Sequence, residues 1–439
     1  MSADGSSHNS APPLSLSLNF RLSAMMFLQY AIWGAWLPIL LPYLSGHIKL
    51  TGDQIGSIFA IGAVGAIIGP FVAGQIADRW FNSEWFLAIS HILGGVLVWQ
   101  LCWIDDYQNF LIFSLLYSIV YAPTLSLTNS LAFHHIPDRE RDFGRVRVWG
   151  TVGWIVASIA MGHWLLHQHS PAGVAGEELQ AAWNAGRADA FRLSAILGVL
   201  MGIYCLILPK TPPQQGESKN ASLEALGEIR RNPLLTLFLL AVPISCVHQF
   251  YFYHTAAFLS TYQAKIGDIT GPINAIFGVG GGGLMAIGQV VEIFVLAAIP
   301  VVAKKVSRKS FLAVGIIAYG LRMFLFAYVE VIPLPEFVTL IAGVALHGFC
   351  FGCFIFVAFM IVDEETTGDV RASAQSLFNL VIIGIGIIVG SMIAARVAAW
   401  ATTDKVMDYQ KLFSVPMWAS LACLVALLVC YPGGRRKAT

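Results

Sequence analysis

The stretch Pro209-Lys210-Thr211-Pro212-Pro213-Gln214-Gln215-Gly216 opens the longest polar segment of this chain's interior, which runs on to Arg230-Arg231 and Pro233. Paired prolines, a glycine and scattered charges neither continue a helix nor bury a face. On both sides the chain is apolar. A membrane-crossing helix needs about 20 mostly apolar residues. Such runs recur near 22–44, 54–77, 85–103, 109–132, 147–166 and 190–208 before the segment. After it they recur near 234–261, 278–302, 310–330, 334–361, 371–396 and 411–431. Six spans therefore precede the break and six follow. The reading is an all-α integral membrane protein: a disordered tail over 1–20, a first half over 21–209, a linker over 210–233, a second half over 234–432 and a basic tail over 433–439.

Composition says the same. Of 439 residues, 57% are hydrophobic and 12% charged, and the mean hydropathy is +0.70. A soluble domain carries about twice that share of charge. The formal net charge of +1 gives no electrostatic footprint for nucleic acid. The seven cysteines all lie in apolar runs, where a secreted disulfide framework would place them in polar loops. They read as buried free thiols. The polar, Ser-rich start has no cationic region followed by a cleavage site, so it is not read as a signal peptide.

Orientation follows from Lys and Arg, which accumulate in cytoplasmic loops. With both termini inside, eighteen of the 26 fall on the inner side and six on the outer, while Arg322 and Arg396 lie within spans. Both termini are therefore placed in the cytoplasm, with the linker. The outer segment 168–189 is polar and reads as mobile.

Two six-helix halves joined by an inner loop are the plan of a major facilitator transporter. Gly74-Gln75-Ile76-Ala77-Asp78-Arg79 sits between spans two and three, where that superfamily carries a Gly-x-x-x-Asp-Arg turn. Asp78 and Arg79 are read as a gating latch on the inner side.

Ionisable groups inside a membrane are costly and mark function. Glu292 lies mid-span in Ile287-Gly288-Gln289-Val290-Val291-Glu292, and Gln289, three residues earlier, shares its helical face. An amide and a carboxylate together can hold the hydroxyls of a polar ligand. A structural link from Glu292 to another helix, with Arg322 as partner, is the competing reading. Arg147, Thr151 and Trp154 form a stripe of donor, hydroxyl and aromatic plate on the fifth span. His248-Gln249-Phe250-Tyr251-Phe252-Tyr253-His254 crowds the seventh, with Gln249, Phe252 and Tyr253 on one face. His347, Phe351 and Phe354 on the tenth span, and Gln29, Trp33 and Trp36 on the first, repeat the i, i+4, i+7 spacing. One stripe alone is commonly packing. Five together point to a site for a ligand with hydroxyls and a flat ring.

Other chemistries are excluded. Gly278-Val279-Gly280-Gly281-Gly282-Gly283 matches Gly-x-Gly-x-x-Gly, but no strand precedes it, so a dinucleotide site is rejected. Close helix packing or a hinge fits better. No zinc-ligand spacing and no phosphate-binding Gly-x-x-x-x-Gly-Lys motif occurs. The chain is read as a transporter without metal or cofactor, not an enzyme, driven by a gradient or by none.

Several segments resemble the bacterial nucleoside:H⁺ symporters. They are Phe27-Leu28-Gln29-Tyr30-Ala31-Ile32-Trp33-Gly34-Ala35-Trp36, Ala122-Pro123-Thr124-Leu125 with Asn129, and Arg147-Val148-Trp149-Gly150-Thr151-Val152-Gly153. Leu321-Arg322 with Phe324-Leu325-Phe326-Ala327-Tyr328, and Val370-Arg371-Ala372-Ser373-Ala374-Gln375, belong to the same likeness. It covers about 20–430 in order. The resemblance implies a substrate site at Arg147, Thr151, Trp154, Gln249, Gln289, Glu292, His347 and Phe351. Two departures stand out. An enteric member has an Asn where this chain has Phe252, and an Asp, implicated in proton coupling, where this chain has Gly352. Glu292 and His347 are then the titratable groups left to carry the proton.

The expectation is a bacterial inner-membrane importer of nucleosides, a monomer in the lipid bilayer, coupled to protons and working by alternating access. The alternatives are a transporter of a sugar, glycoside or other polyol, a nucleoside uniporter, and a receptor or membrane enzyme that binds without accumulating.

Overall fold

The structure is a computed structural model that describes residues 12–76, 82–212, 226–265, 271–367, 371–404 and 406–432. Ten of its described helices are long and apolar enough to cross a membrane. They are the first span (Leu16–Gly46), the fourth (Tyr107–His135), the fifth (Arg141–Gln168), and Gly176–Cys205, whose second part, Asp189–Cys205, is the sixth span. The seventh (Leu234–Ala264), eighth (Gly282–Val302), ninth (Arg308–Ala327), tenth (Glu336–Glu365), eleventh (Ala374–Ala401) and twelfth (Tyr409–Cys430) complete the ten. Two further long helices, Gly52–Ile76 and Ser83–Gln100, take the second and third places. Helices are dictated because lipid offers no partner to a backbone N–H or C=O.

Side-chain caps start several spans where the polar loops end. Asp106 accepts from the Asn109 N–H and Asp408 from the Lys411 N–H, each satisfying a donor that the first turn leaves free. Those backbone donors hold both carboxyls below their ordinary range. Within the first half the first span packs on the fifth, the second on the fourth and the third on the sixth. Within the second half the ninth packs on the twelfth and the seventh on the eleventh. The halves meet along the pairs second–eleventh, fifth–eighth and first–seventh. This is the major facilitator fold.

The structure corrects several expectations. The first helix begins at Leu16, so the last residues of the expected tail are helical. The segment 168–189, read as mobile, contains the helix Gly176–Gly186. Its polar composition hides an apolar face: Leu179 and Trp183 seat against Ile39, Met161, Leu165 and Val279. Of the seven free cysteines, Cys430 is exposed. Asp78 and Arg79, residues 213–225 of the linker and the basic tail 433–439 lie outside the described residues.

A seam closes the halves at the end of the bundle opposite the termini. Arg187, fully buried, holds Asn184 on its own side. It reaches across to the Ser260 hydroxyl at 2.9 Å and the Gly280 carbonyl at 3.4 Å. Ser260 in turn donates to Gln180 at 3.0 Å. The Val279 N–H donates to the Gly162 carbonyl at 3.0 Å. The glycine run makes this approach possible. Gly278 has φ +71°, and a Cβ there would stand 2.1 Å from the Gly162 carbonyl carbon.

Candidate functional site

Glycines set the site by letting the eighth and tenth spans touch. A Cβ on Gly288 would lie 2.7 Å from the His347 Cβ, and one on Gly348 would lie 2.5 Å from the Glu292 backbone nitrogen. Small residues let helix backbones approach in lipid, and here they bring Glu292 and His347 face to face. Gly352 continues the crossing: a Cβ there would meet Val295 Cγ1 at 2.6 Å. Gly352 is therefore a packing contact in this chain.

Glu292 is 8% exposed and its Oε2 lies 3.7 Å from His347 Nε2. The other ring nitrogen, Nδ1, lies 3.1 Å from Arg322 Nη1. Arg322 is fully buried, yet its Nε and Nη2 have no partner and it makes no ion pair among the described residues. It is held instead by aromatic faces, 4.1 Å above the Tyr251 ring and 5.1 Å from that of Tyr319. The His347 ring stacks on Tyr251 at 4.8 Å and on His248 at 5.5 Å. His248 Nδ1 pairs with the Tyr319 hydroxyl at 2.7 Å. The direct link from Glu292 to Arg322 does not form, because His347 stands between them.

The first half supplies the opposite wall. Arg147 is half-buried over the Tyr30 ring at 4.0 Å. Thr151, one turn on, is half-buried. The buried Trp154 ring meets Trp33 edge-on at 5.5 Å and Phe252 of the other half at 6.1 Å. Phe252 also touches His347, at 5.6 Å. Trp154 Nε1 and Gln289 Oε1, buried along these walls, lack a partner, as does the Tyr251 hydroxyl.

Not every stripe arrives. Gln249 is turned to the eleventh span, donating to the Ser391 hydroxyl at 3.0 Å. Gln29 is spent inside its own half on Thr124 and His91, each at 2.9 Å. Phe351 is half-buried and Phe354 fully buried. The i, i+4, i+7 spacing on the tenth span fails because Cys350–Phe356 is a π-helical turn, which winds more residues into each turn. Phe354 accordingly packs on the ninth span at Gly315. The cluster also contains Tyr251, which spacing sets off the face of Gln249, Phe252 and Tyr253, together with His248 and Tyr319. For His248 and Tyr251 the signal is the polar tips in the run 248–254; Tyr319 has none in the sequence.

The profile of nucleoside H⁺ symporters matches residues 16–434. Among curated relatives, Escherichia coli YegT is 29% identical over 418 residues, covering 93% of this chain and 91% of that protein. The xanthosine permease of the same organism is 28% identical over 433 residues, 94% and 95% of the two chains. The crystal structure of the nucleoside transporter NupG superposes with a TM-score of 0.78 at 24% identity, covering 94% of this chain and 98% of that one. The profile spans all twelve helices, including both walls of the site, and the chain belongs to the nucleoside H⁺ symporter family.

Proposed function

We propose that this protein carries nucleosides into the bacterial cell across the inner membrane, drawn by the proton gradient, by alternating access of its two halves. The lysine and arginine bias orients both termini toward the cytoplasm, which puts the Arg187 seam outside and makes this an outward-closed state. Membrane voltage supplies about 2.3 kcal/mol per charge per 100 mV to such a cycle.

The observation that carries the reading is Glu292, buried with His347 at 3.7 Å and one turn from the unpartnered Gln289 oxygen. A carboxyl that can take and release a proton, beside an amide free to bond a hydroxyl, is what linked binding of proton and ribose requires. Arg147 and Thr151 serve as donors to the substrate, and Trp154 offers a plate for the base. Gln249, His347 and Phe351 come into the same set by family resemblance, and Asp78 and Arg79 are proposed as the inner gate.

Uptake of labelled nucleoside into proteoliposomes, with and without an imposed pH gradient, tests the reading. Accumulation that follows the gradient, with competition by other nucleosides, supports it. Uptake indifferent to pH and voltage makes the protein a uniporter. Competition by sugars in preference to nucleosides moves the substrate to another polyol.

A further inference from the structure

Arg322 is a buried charge of the second half for which the transport reading has no use. We propose that Arg322 is the positioning residue of the proton site: it locks His347 as the neutral ring with its hydrogen on Nε2, aims that N–H at Glu292, and so leaves Glu292 as the proton carrier. The proposal rests on the reading of Glu292 as the proton-binding group.

A guanidinium has only N–H donors and no acceptor. The 3.1 Å contact from Arg322 Nη1 to His347 Nδ1 therefore requires a lone pair on Nδ1. A neutral ring then carries its hydrogen on Nε2, the nitrogen that faces Glu292 at 3.7 Å. A second proton would have to go on Nδ1, where two donors would stand head to head beside a fixed cation. Tyr251 and His248 stack on the ring and hold its plane. Arg322 is pinned by the Tyr251 and Tyr319 faces. The titratable and charged groups around His347 are His248 and Tyr251 from the seventh span, Glu292 from the eighth, Tyr319 and Arg322 from the ninth, and Cys350 beside it. His248 is itself engaged through Nδ1 with the Tyr319 hydroxyl. Of these groups Glu292 alone is a carboxyl, and a donor aimed at it favours the carboxylate while the proton is away.

Two readouts test this. Nitrogen-15 NMR of histidine-labelled full-length protein, with His347 assigned by its loss in His347→Gln, reads the tautomer directly. The expected signal is the Nε2–H form, unchanged from pH 5 to pH 8. A signal that moves to the doubly protonated ring in that range overturns the proposal. This readout needs no transport, so it stands apart from failure of the symporter reading. The second readout is the pH profile of uptake. Arg322→Met removes the donor and frees Nδ1. Its profile should gain a limb that the parent lacks, and Arg322→Met combined with His347→Gln should lose that limb. A folded Arg322→Met carrier with the parental profile, or a new limb that survives in the double variant, overturns it. If Arg322→Met does not reach the membrane, the NMR readout on the unmodified chain decides alone.

Discussion

Arg187→Ala should open the carrier to the outside. In the closed seam the guanidinium spans the two halves with a 2.9 Å bond to Ser260 and a 3.4 Å contact to the Gly280 carbonyl. A hydrogen bond from a charged donor contributes about 1.5–3 kcal/mol. Counting only the shorter one, the substitution weakens the closed state by about 2 kcal/mol, a shift of roughly 30-fold in the ratio of the two states. The bond to Asn184 lies within the first half and does not enter this difference. Pulsed EPR between spin labels at Glu178→Cys and Ile276→Cys, both exposed and on opposite sides of the seam, reads the change. The exposed Cys430 is first replaced by Ser. A second, longer distance should appear in Arg187→Ala. An unchanged distribution in a well-folded variant would show that the Gly162–Gly278 backbone contact holds the seam without help from Arg187.

Other substitutions probe the site itself. Glu292→Gln should abolish accumulation against a gradient while preserving downhill exchange, since an amide bonds hydroxyls but releases no proton; accumulation at the parental rate would move the proton elsewhere. Arg147→Ala should weaken nucleoside binding by about 1.5–3 kcal/mol, the loss of a charged donor, and normal binding by calorimetry would make Arg147 a surface anchor. Trp154→Leu should reduce affinity for nucleosides more than for free ribose, by up to about tenfold given 0.5–1.5 kcal/mol for an aromatic pair; equal losses would place the ring away from the base. Gly352→Asp should lower the thermal midpoint, because overpacking costs about 1–3 kcal/mol and Val295 already fills the space. A more stable variant would contradict the close crossing of the eighth and tenth spans.

The spans were legible because membrane helices are written in composition, and the structure has a long helix at each of the twelve places, with ends shifted by up to eight residues. Glu292 and His347 were legible because an ionisable residue mid-span is rare. Their contact was less so. The sequence offered Arg322 as the partner of Glu292, and only the glycine-lined crossing of the eighth and tenth spans shows His347 between them. Phe354 was assigned to the wrong face because periodicity assumes a regular helix, and a π-helical turn interrupts it. Arg187 counted only as an outer charge, since its partners Ser260 and Gly280 lie 73 and 93 residues away. The helix Gly176–Gly186 was missed because a short amphipathic element in a polar segment resembles a loop until its apolar face finds a surface.

The burial of Arg322 in the same half as Glu292 has an electrical consequence. These are the buried charged residues of the second half among those described. With the Glu292 carboxyl ionised, the two charges cancel and the centre of that half is neutral. With the proton bound, the positive charge of Arg322 stands alone. The second half therefore carries no net buried charge in the empty carrier and one positive charge in the proton-loaded carrier. Membrane potential should act more strongly on the loaded step than on the return step.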